Sequence, residues 1–343
     1  MLDPSDKPQT PTALRLGRPR DWLIGAALLA GLFVAVDQTV GWGPLLAPWR
    51  TLSPLVLGAA FLLTALSYLL RVVRVYDYFG PLVRGHFIAV VRLSVLHNTA
   101  NNLMPMRSGE MLFPWLMRRY FGHGFLAAGA SLLWIRLLDL HFLGLVGFVI
   151  LWLRQPSWLW TALALVWLLM LPVAVKLAQI TARAGAGRGR LWRIVGFVAE
   201  AGPGRQALIA RIYLWTALTW TLKLFAFATV LHHFLAVAFW KVLAGVVGAE
   251  LSSVLPFHGI AGAGSYEVAT IAAMVPFGVS AADALTGAVN LHLFVLGTTL
   301  ILGLLALLLP KGERGRTELA AQHAPASKLQ LKPEMDPKIW TGR

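Results

Sequence analysis

The side chains of this chain that could do chemistry are ionisable residues placed inside or beside apolar stretches. They are Arg107, Glu110, Arg136, Asp139, Lys223, Glu250, Glu267 and His292. If these stretches cross a bilayer, a charge costs about 2.5 to 3.5 kcal/mol at its centre and should face a partner or a wet cavity. In such a cavity arginines can bind a phosphate, and carboxylates can bind an amine or accept protons. We expect Arg107 and Arg136 to take the first role, and Glu110 and Glu267 the second.

Some of these residues lie in two polar stretches that interrupt apolar sequence. The first, 97–110, reads HNTANNLMPMRSGE and contains the helix breaker Pro105. The second, 252–267, begins with two serines and contains Pro256. A backbone interrupted inside a membrane must be surrounded by protein or water, and its freed N–H groups can hold an anion. The sequence therefore predicts a binding site at these two breaks.

The two stretches repeat one pattern of residue types. Two small polar residues, a proline and a glutamate follow in the same order, as Asn101, Asn102, Pro105 and Glu110 and again as Ser252, Ser253, Pro256 and Glu267. A Phe-Gly pair follows each stretch, and fourteen residues beyond its glycine lies Arg136 in the first case and His292 in the second. This spacing predicts an internal duplication whose polar tips face each other across one site.

The sequence leaves two pairings of these charges open. Asp139 lies three residues after Arg136 on one helix face, so the two can form an ion pair that braces the bundle or can join the binding site. Lys223 has no acid nearby in the sequence. It can pair with Glu250, pair with Glu267 or contact a phosphate.

Composition identifies the class of protein. Of 343 residues, 57% are hydrophobic and 13% are charged, against roughly 25% charged in a soluble domain. The net charge of +15 comes from basic residues gathered between the apolar runs, which is typical of cytoplasmic loops and argues against nucleic-acid binding. The chain has no cysteine, so disulfide and thiol chemistry are excluded.

The apolar runs predict an all-α polytopic membrane protein with about six full spans. These are residues 22–40, 52–70, 125–153, 158–175, 213–231 and 285–309. Arg71 and Arg74 follow the second span and begin a loop that should be cytoplasmic. The segment 176–211 carries seven basic residues and one acid and should also be cytoplasmic. Counting spans from it places both termini in the cytoplasm and His232-His233 outside. We expect a multi-pass protein of the cell (inner) membrane.

The same count gives the two polar stretches opposite orientations. Residues 86–120 start and end at the cytoplasmic face, and residues 238–277 start and end outside. Counting cannot distinguish full spans from re-entrant arms, but the polar tips favour two re-entrant helical hairpins. With the span that follows each hairpin, the units 86–153 and 238–309 form an inverted repeat. The membrane domain is 22–310, between tails at 1–21 and 311–343 that we expect to be disordered and cytoplasmic.

Motifs for metals, nucleotides and cofactors are weak. His232 and His233 are adjacent instead of four apart on a helix, and the glycine-rich turn 259–264 lacks a Walker lysine. We therefore predict no cofactor and no metal.

The ordered motifs resemble one known family. The residues that carry the likeness are Asn101-Asn102-Leu103-Met104-Pro105, Arg107, Gly109-Glu110, Arg136 with Asp139, Leu255-Pro256, the glycine-rich turn and Glu267. Over roughly residues 50 to 309 this pattern is similar to the transmembrane, flippase-like domain of lysylphosphatidylglycerol synthetases. The resemblance implies movement of lipids or lipid-linked head groups between leaflets, without the fused soluble synthetase. His292 stands where that family more often has an arginine.

Together these features predict a membrane lipid translocase for a phospholipid or lipid-linked head group, anionic or zwitterionic. The alternatives are a membrane-embedded enzyme acting on polyprenyl-phosphate or phospholipid substrates, and an accessory subunit of a separate lipid-modifying enzyme. No nucleophile and base pair supports the enzyme, and a subunit that only scaffolds would leave the buried charges unexplained.

Overall fold

A computed structural model of the protein describes residues 19–184, 190–203, 206–252 and 259–311. These residues form the helices α1 Pro19–Thr39, α2 Trp42–Leu46, α3 Pro54–Phe79, α4 Phe87–Leu103, α5 Leu112–Phe121, α6 Phe125–Arg154, α7 Trp158–Ala184, α8 Arg190–Glu200, α9 Gln206–Phe234, α10 Phe239–Ser252, α11 Ser265–Met274 and α12 Ala281–Leu308. The predicted all-α class is confirmed, since the described ranges contain helices and no strand. Ser253, Pro256 and nearly all of the two predicted tails lie outside these ranges.

Within the described ranges, seven helices are long and apolar enough to cross a membrane. Six of them match the predicted spans, namely Pro19–Thr39, Pro54–Leu82, Phe125–Arg154, Trp158–Leu177, Gln206–Phe234 and Ala281–Leu308. The seventh, Ile260–Phe277, falls in the stretch that we predicted as the second hairpin. Many large apolar side chains on these helices point outward, as contact with lipid requires. The chain is therefore a multi-pass membrane protein.

The second span ends later than predicted. We expected it at 52–70 with a cytoplasmic loop after it, whereas α3 continues to Phe79. The reason is that Val75 and Phe79 extend the apolar face of the helix and pack in one cluster with side chains of α4 and α5. Arg71 and Arg74, which we had placed at the start of the loop, consequently lie within the helix bundle.

Each predicted polar stretch contains a helix break. Between α4 and α5 the chain turns through Pro105–Met111, where Met106 and Arg107 have left-handed φ angles of 51° and 54°. Between α10 and α11, Ala261 has a φ of 53° in the turn Ile260–Gly262. Within the described ranges these three are the only residues other than glycine with positive φ. Such conformations persist where the surrounding structure holds them, and they cluster at functional sites.

The two breaks lie in units with the same order of elements. In the first unit α4, a break, α5 and the long helix α6 follow one another, and in the second unit α10, a break, α11 and the long helix α12 do so. The short segment before each long helix ends at a left-handed glycine, Gly122 or Gly278. Ala128 and Ala284, in the first turns of the long helices, are both fully buried. The two units thus share one order of elements.

The two breaks contact each other, and α1 packs against both. Gly25 lies at this crossing, where a Cβ would be 2.6 Å from Ile260 Cγ1 and 3.3 Å from Pro105 Cβ. Gly109 lies equally close to α4, because its Cβ would be 2.5 Å from the carbonyl carbon of Ala100. Only glycine permits these approaches. The interrupted backbone is thus covered by protein.

The apolar core is divided into two large clusters. One joins α3, α4, α5 and the first half of α6, and the other joins α9, α10, α11 and α12 with the second half of α6. Helix α6 passes from the first cluster to the second between Ile135 and Phe142. Arg136 and Asp139 lie in that interval, so the polar side chains of α6 are placed between the two cores.

Candidate functional site

A polar pocket adjoins this interval of α6 and is lined by seven helices. The cavity volume open to the centres of water molecules is about 50 Å³, which is room for a few waters. The lining side chains are Arg71, Asn98, Asn101, Asn102, Arg136, Asp139, Trp220, Lys223, Glu250, Ala261, Tyr266, His292, Val295 and Leu296. The structure therefore brings residues from both predicted repeat units, and from α3 and α9, around one cavity.

The first break is held by Glu110, the carboxylate that follows it. Asn101 Nδ2 and Arg136 Nη2 each donate to Glu110 Oε1 at 2.9 Å, and Arg107 contacts the same oxygen. His97 Nε2 lies 3.8 Å from Oε2, and its other ring nitrogen lies 3.3 Å from the backbone oxygen of Gly109. One carboxylate thus ties the turn to α4 and α6, and two arginines share it as their ion-pair partner.

Asp139 is the centre of a second ion-pair network. Its Oδ1 accepts from Arg74 Nη1 at 2.5 Å and from Trp220 Nε1 at 2.8 Å, while Arg136 Nη1 lies 3.5 Å from Oδ2. Arg74 also donates to Thr216 Oγ1 at 2.9 Å. Arg74 and Asp139 are only 1% and 2% exposed, so this is a buried pair. The expected contact between Arg136 and Asp139 is present, but Arg74 is the closer partner.

The alternatives for Lys223 are resolved by α10. Lys223 Nζ lies 2.6 Å from Glu250 Oε2, and both side chains are nearly buried. The same ammonium lies 5.1 Å from the ring centroids of Trp220 and Phe227. Lys223 is therefore the ion-pair partner of Glu250, and aromatic faces on α9 give its charge further stabilisation.

The second break is held by Glu267. Gly264 N donates to Glu267 Oε2 at 2.7 Å, and His292 Nδ1 lies 2.6 Å from Oε1. His292 Nε2 donates to the backbone oxygen of Ala261 at 2.8 Å. Both ring nitrogens of His292 face acceptors, so the proton between Nδ1 and Oε1 is shared with Glu267. The pair is neutral as a unit, whichever of the two side chains holds that proton. The contact of Glu267 with His292 of α12 corresponds to that of Glu110 with Arg136 of α6.

The remaining predicted site residues lie outside the pocket lining. Glu110 and Glu267 are one contact behind it, through Arg136 and His292, and Arg107 is two contacts behind it, through Glu110. Pro105 is buried at the first break, facing α1. Ser252 is buried and donates to the backbone oxygen of Ala249 at 2.6 Å, so it does not reach the pocket. Ser253 and Pro256 lie outside the described residues.

Sequence reasoning missed several lining residues. Arg71, with Arg74 behind it, was interpreted as the start of a basic loop, although the helical spacing of Val72, Val75 and Phe79 indicates that α3 continues. Asn98 shares a helix face with Asn101 and Asn102, at spacings of three and four residues. Trp220 was attributed to no site, and its indole N–H is aimed at Asp139.

Chemically, the pocket presents cationic, amide and carboxylate groups to a polar ligand. Its donors are guanidinium, ammonium and amide N–H groups, and its lining carboxylates are already paired with cations. In the part of the chain that the structure describes, no three His, Cys, Asp or Glu side chains gather in a way that could hold a metal ion. The arrangement is therefore that of an ionic binding site inside a membrane protein.

Comparison with protein families assigns the chain. The sequence profile described as the lysylphosphatidylglycerol synthase TM region matches residues 22–303. The chain belongs to this family. The expected resemblance is thus confirmed, and the match starts earlier than we predicted, since it includes α1. All residues that line the pocket fall within the matched range. A search among curated proteins finds no significant match.

The pairing of Arg74 with Asp139 can be tested by stability. Arg74→Gln removes the closest cation of the buried Asp139 carboxylate and leaves Arg136, at 3.5 Å, as its ion-pair partner. We expect a loss of roughly 3 kcal/mol, at the lower end of the cost of breaking a buried pair. The double variant Arg74→Gln/Asp139→Asn removes both charges and should recover much of that loss. Thermal unfolding of the purified variants in detergent measures both effects.

The control for this experiment is Arg118→Gln, at the exposed end of α5, which should unfold like the parent protein. If Arg74→Gln were as stable as Arg118→Gln, or if the double variant lost as much stability as the single one, the pairing would not matter for the fold.

Proposed function

We propose that the protein translocates a lipid between the two leaflets, with the head group in the polar pocket and the acyl chains in the bilayer. One observation carries the proposal: charged, amide and imidazole side chains from six helices line a cavity at the point where two broken helices meet. Charges kept inside a membrane domain mark substrate pathways, because they are expensive there without a task. Membership in a family of lysylphosphatidylglycerol synthase membrane regions supports a role with membrane lipids.

An apolar groove beside the pocket supports a lateral route for acyl chains. It lies between α3, α4 and α12 and is lined by Ala65, Tyr68, Leu69, Val72, Val95, Leu302, Leu305, Ala306 and Leu309. Asn102 joins the two spaces, because it lines the pocket and its Nδ2 donates to the hydroxyl of Tyr68 at 3.4 Å. A lipid with its head group among the charges could therefore keep its chains in apolar surroundings.

We further propose that the two units, 86–153 and 238–309, form an inverted repeat of re-entrant hairpins within the membrane domain 22–310. Support comes from their common element order and from the two break carboxylates, each bound by a side chain of the long helix that follows. An inverted repeat offers similar surroundings to either leaflet, so rocking of one unit against the other could alternate access to a fixed site.

Lipid movement can be measured in vesicles of phosphatidylcholine and phosphatidylglycerol that carry a trace of fluorescent phosphatidylglycerol. With the purified protein, an impermeant reductant should bleach nearly all of the fluorophore, instead of only the outer half. Ala65→Phe, which fills the groove, should slow the second phase of bleaching towards the background rate. Leu62→Phe is the matched control on the lipid-facing side of α3, because Leu62 is 66% exposed, and it should leave the rate unchanged.

Bleaching that stopped at the outer leaflet would reject translocation. A change in the mass of the recovered lipid would identify the protein as an enzyme instead.

We propose that the protein lies in the inner membrane of the cell with both termini in the cytoplasm. The basic segment between α7 and α9 motivates it. Single cysteines are informative because the natural chain has none. An impermeant maleimide applied to intact cells should label His232→Cys and spare Arg118→Cys, and the reverse pattern would invert the topology.

A further inference from the structure

Arg71 of α3 differs from the other cations of the pocket. It lines the cavity, and its Nη1 donates to the neutral side chain of Asn98 at 2.9 Å. Its guanidinium carbon lies 5.9 Å from the ring centroid of Trp220. Its Nε is buried without a hydrogen-bond partner, as is the Nε of Arg136. Among the described residues no carboxylate lies within ion-pair distance of Arg71, whereas Arg136 has two and Lys223 has one.

The carboxylates around the pocket are already engaged. Asp139 is taken by Arg74 and Arg136, Glu110 by Arg107 and Arg136, Glu250 by Lys223, and Glu267 by His292. The pair of Glu267 and His292 is neutral and does not enter the charge balance. Five cationic side chains then face three carboxylates, which leaves two positive charges in excess. The cations are Arg71, Arg74, Arg107, Arg136 and Lys223, and the carboxylates are Glu110, Asp139 and Glu250. The internal segments outside the described ranges, 185–189, 204–205 and 253–258, contain no aspartate or glutamate that could supply a partner.

We propose that Arg71 binds a phosphate group, and that the ligand of the pocket is therefore anionic at this point. This inference rests on the proposed function and deepens it, because it selects the phosphodiester of a phospholipid as the group that enters first. A guanidinium presents a planar fork that matches two phosphate oxygens. Lys223 faces the ring of the same tryptophan, at 5.1 Å, and its ammonium can approach a further oxygen. The amides of Asn101 and Asn102 line the same cavity and provide neutral donors.

Arg71 is available to a ligand because the carboxylates of the pocket are already paired with other cations. A cation inside a membrane domain needs an anion nearby, and every other arginine or lysine of this pocket has an internal one. A phosphodiester at Arg71 would give this guanidinium an anion and would reduce the excess from two positive charges to one. The free protein can tolerate the unpaired charge because the pocket is open and polar enough to hold water.

Binding to the full-length protein in detergent tests the proposal by calorimetric titration. The probes are dihexanoyl phosphatidylglycerol, inorganic phosphate and an uncharged short-chain glucoside. We expect the phospholipid to bind and the glucoside not to bind. Arg71→Gln should weaken phospholipid binding by at least about tenfold, as expected for loss of a charge-assisted hydrogen bond, and Arg71→Lys should weaken it less. Arg118→Gln is the control and should bind like the parent protein.

A second variant keeps the proposal testable if Arg71→Gln does not fold. Asn98→Asp is nearly isosteric and places a carboxylate beside Arg71, where the amide oxygen now lies at 2.9 Å. It should fold, and its internal anion should displace the phospholipid.

Unchanged affinity in both Arg71→Gln and Asn98→Asp would overturn the proposal. Binding of inorganic phosphate without binding of the lipid would keep the anion site and reject the head group as its ligand. Arg71-dependent binding without lipid movement in vesicles would reject translocation but leave the site in place, so the two failures are distinguishable.

Discussion

The structure depends on ion pairs between charged side chains inside the membrane domain, because each carboxylate there needs a basic partner. Glu110, Asp139, Glu250 and Glu267 each contact a basic group on a different structural element. These contacts join α3 to α6, the first break to α6, α9 to α10, and the second break to α12. Because removing one member of a buried pair leaves an uncompensated charge, the pairs fix which helices lie side by side. Apolar packing alone would not fix which helices are neighbours, since lipid chains are as apolar as the helix surfaces they cover.

The same side chains satisfy the interrupted backbone. A helix break inside a membrane exposes N–H and C=O groups that lipid cannot bind. Here Glu267 accepts from the N–H of Gly264, His292 donates to the oxygen of Ala261, and His97 lies within hydrogen-bond distance of the oxygen of Gly109. The residues that pair charges are therefore also the residues that make the breaks tolerable. This double use explains why polar side chains concentrate at the two breaks.

Much of this arrangement is readable from the sequence, and the reasons for the rest are physical. Hydrophobic runs set the spans, and prolines with small polar residues mark the breaks, because both are local properties of the chain. The contact of Arg136 with Asp139 follows from helical spacing. The ion pair of Lys223 with Glu250 does not follow from helical spacing, since it depends on how α9 and α10 lie against each other. Arg71 and Arg74 were misplaced because two arginines after an apolar run are also typical of a cytoplasmic loop.

The central claim is that a lipid head group occupies the pocket between the two breaks, with its phosphate at Arg71. A cryo-EM map of the protein in nanodiscs of phosphatidylglycerol tests this most directly. The account predicts a tetrahedral density within hydrogen-bond distance of Arg71, continuous with acyl-chain density in the groove between α3 and α12. A pocket that holds only water, with lipid density confined to the outer surface of the helices, would contradict it.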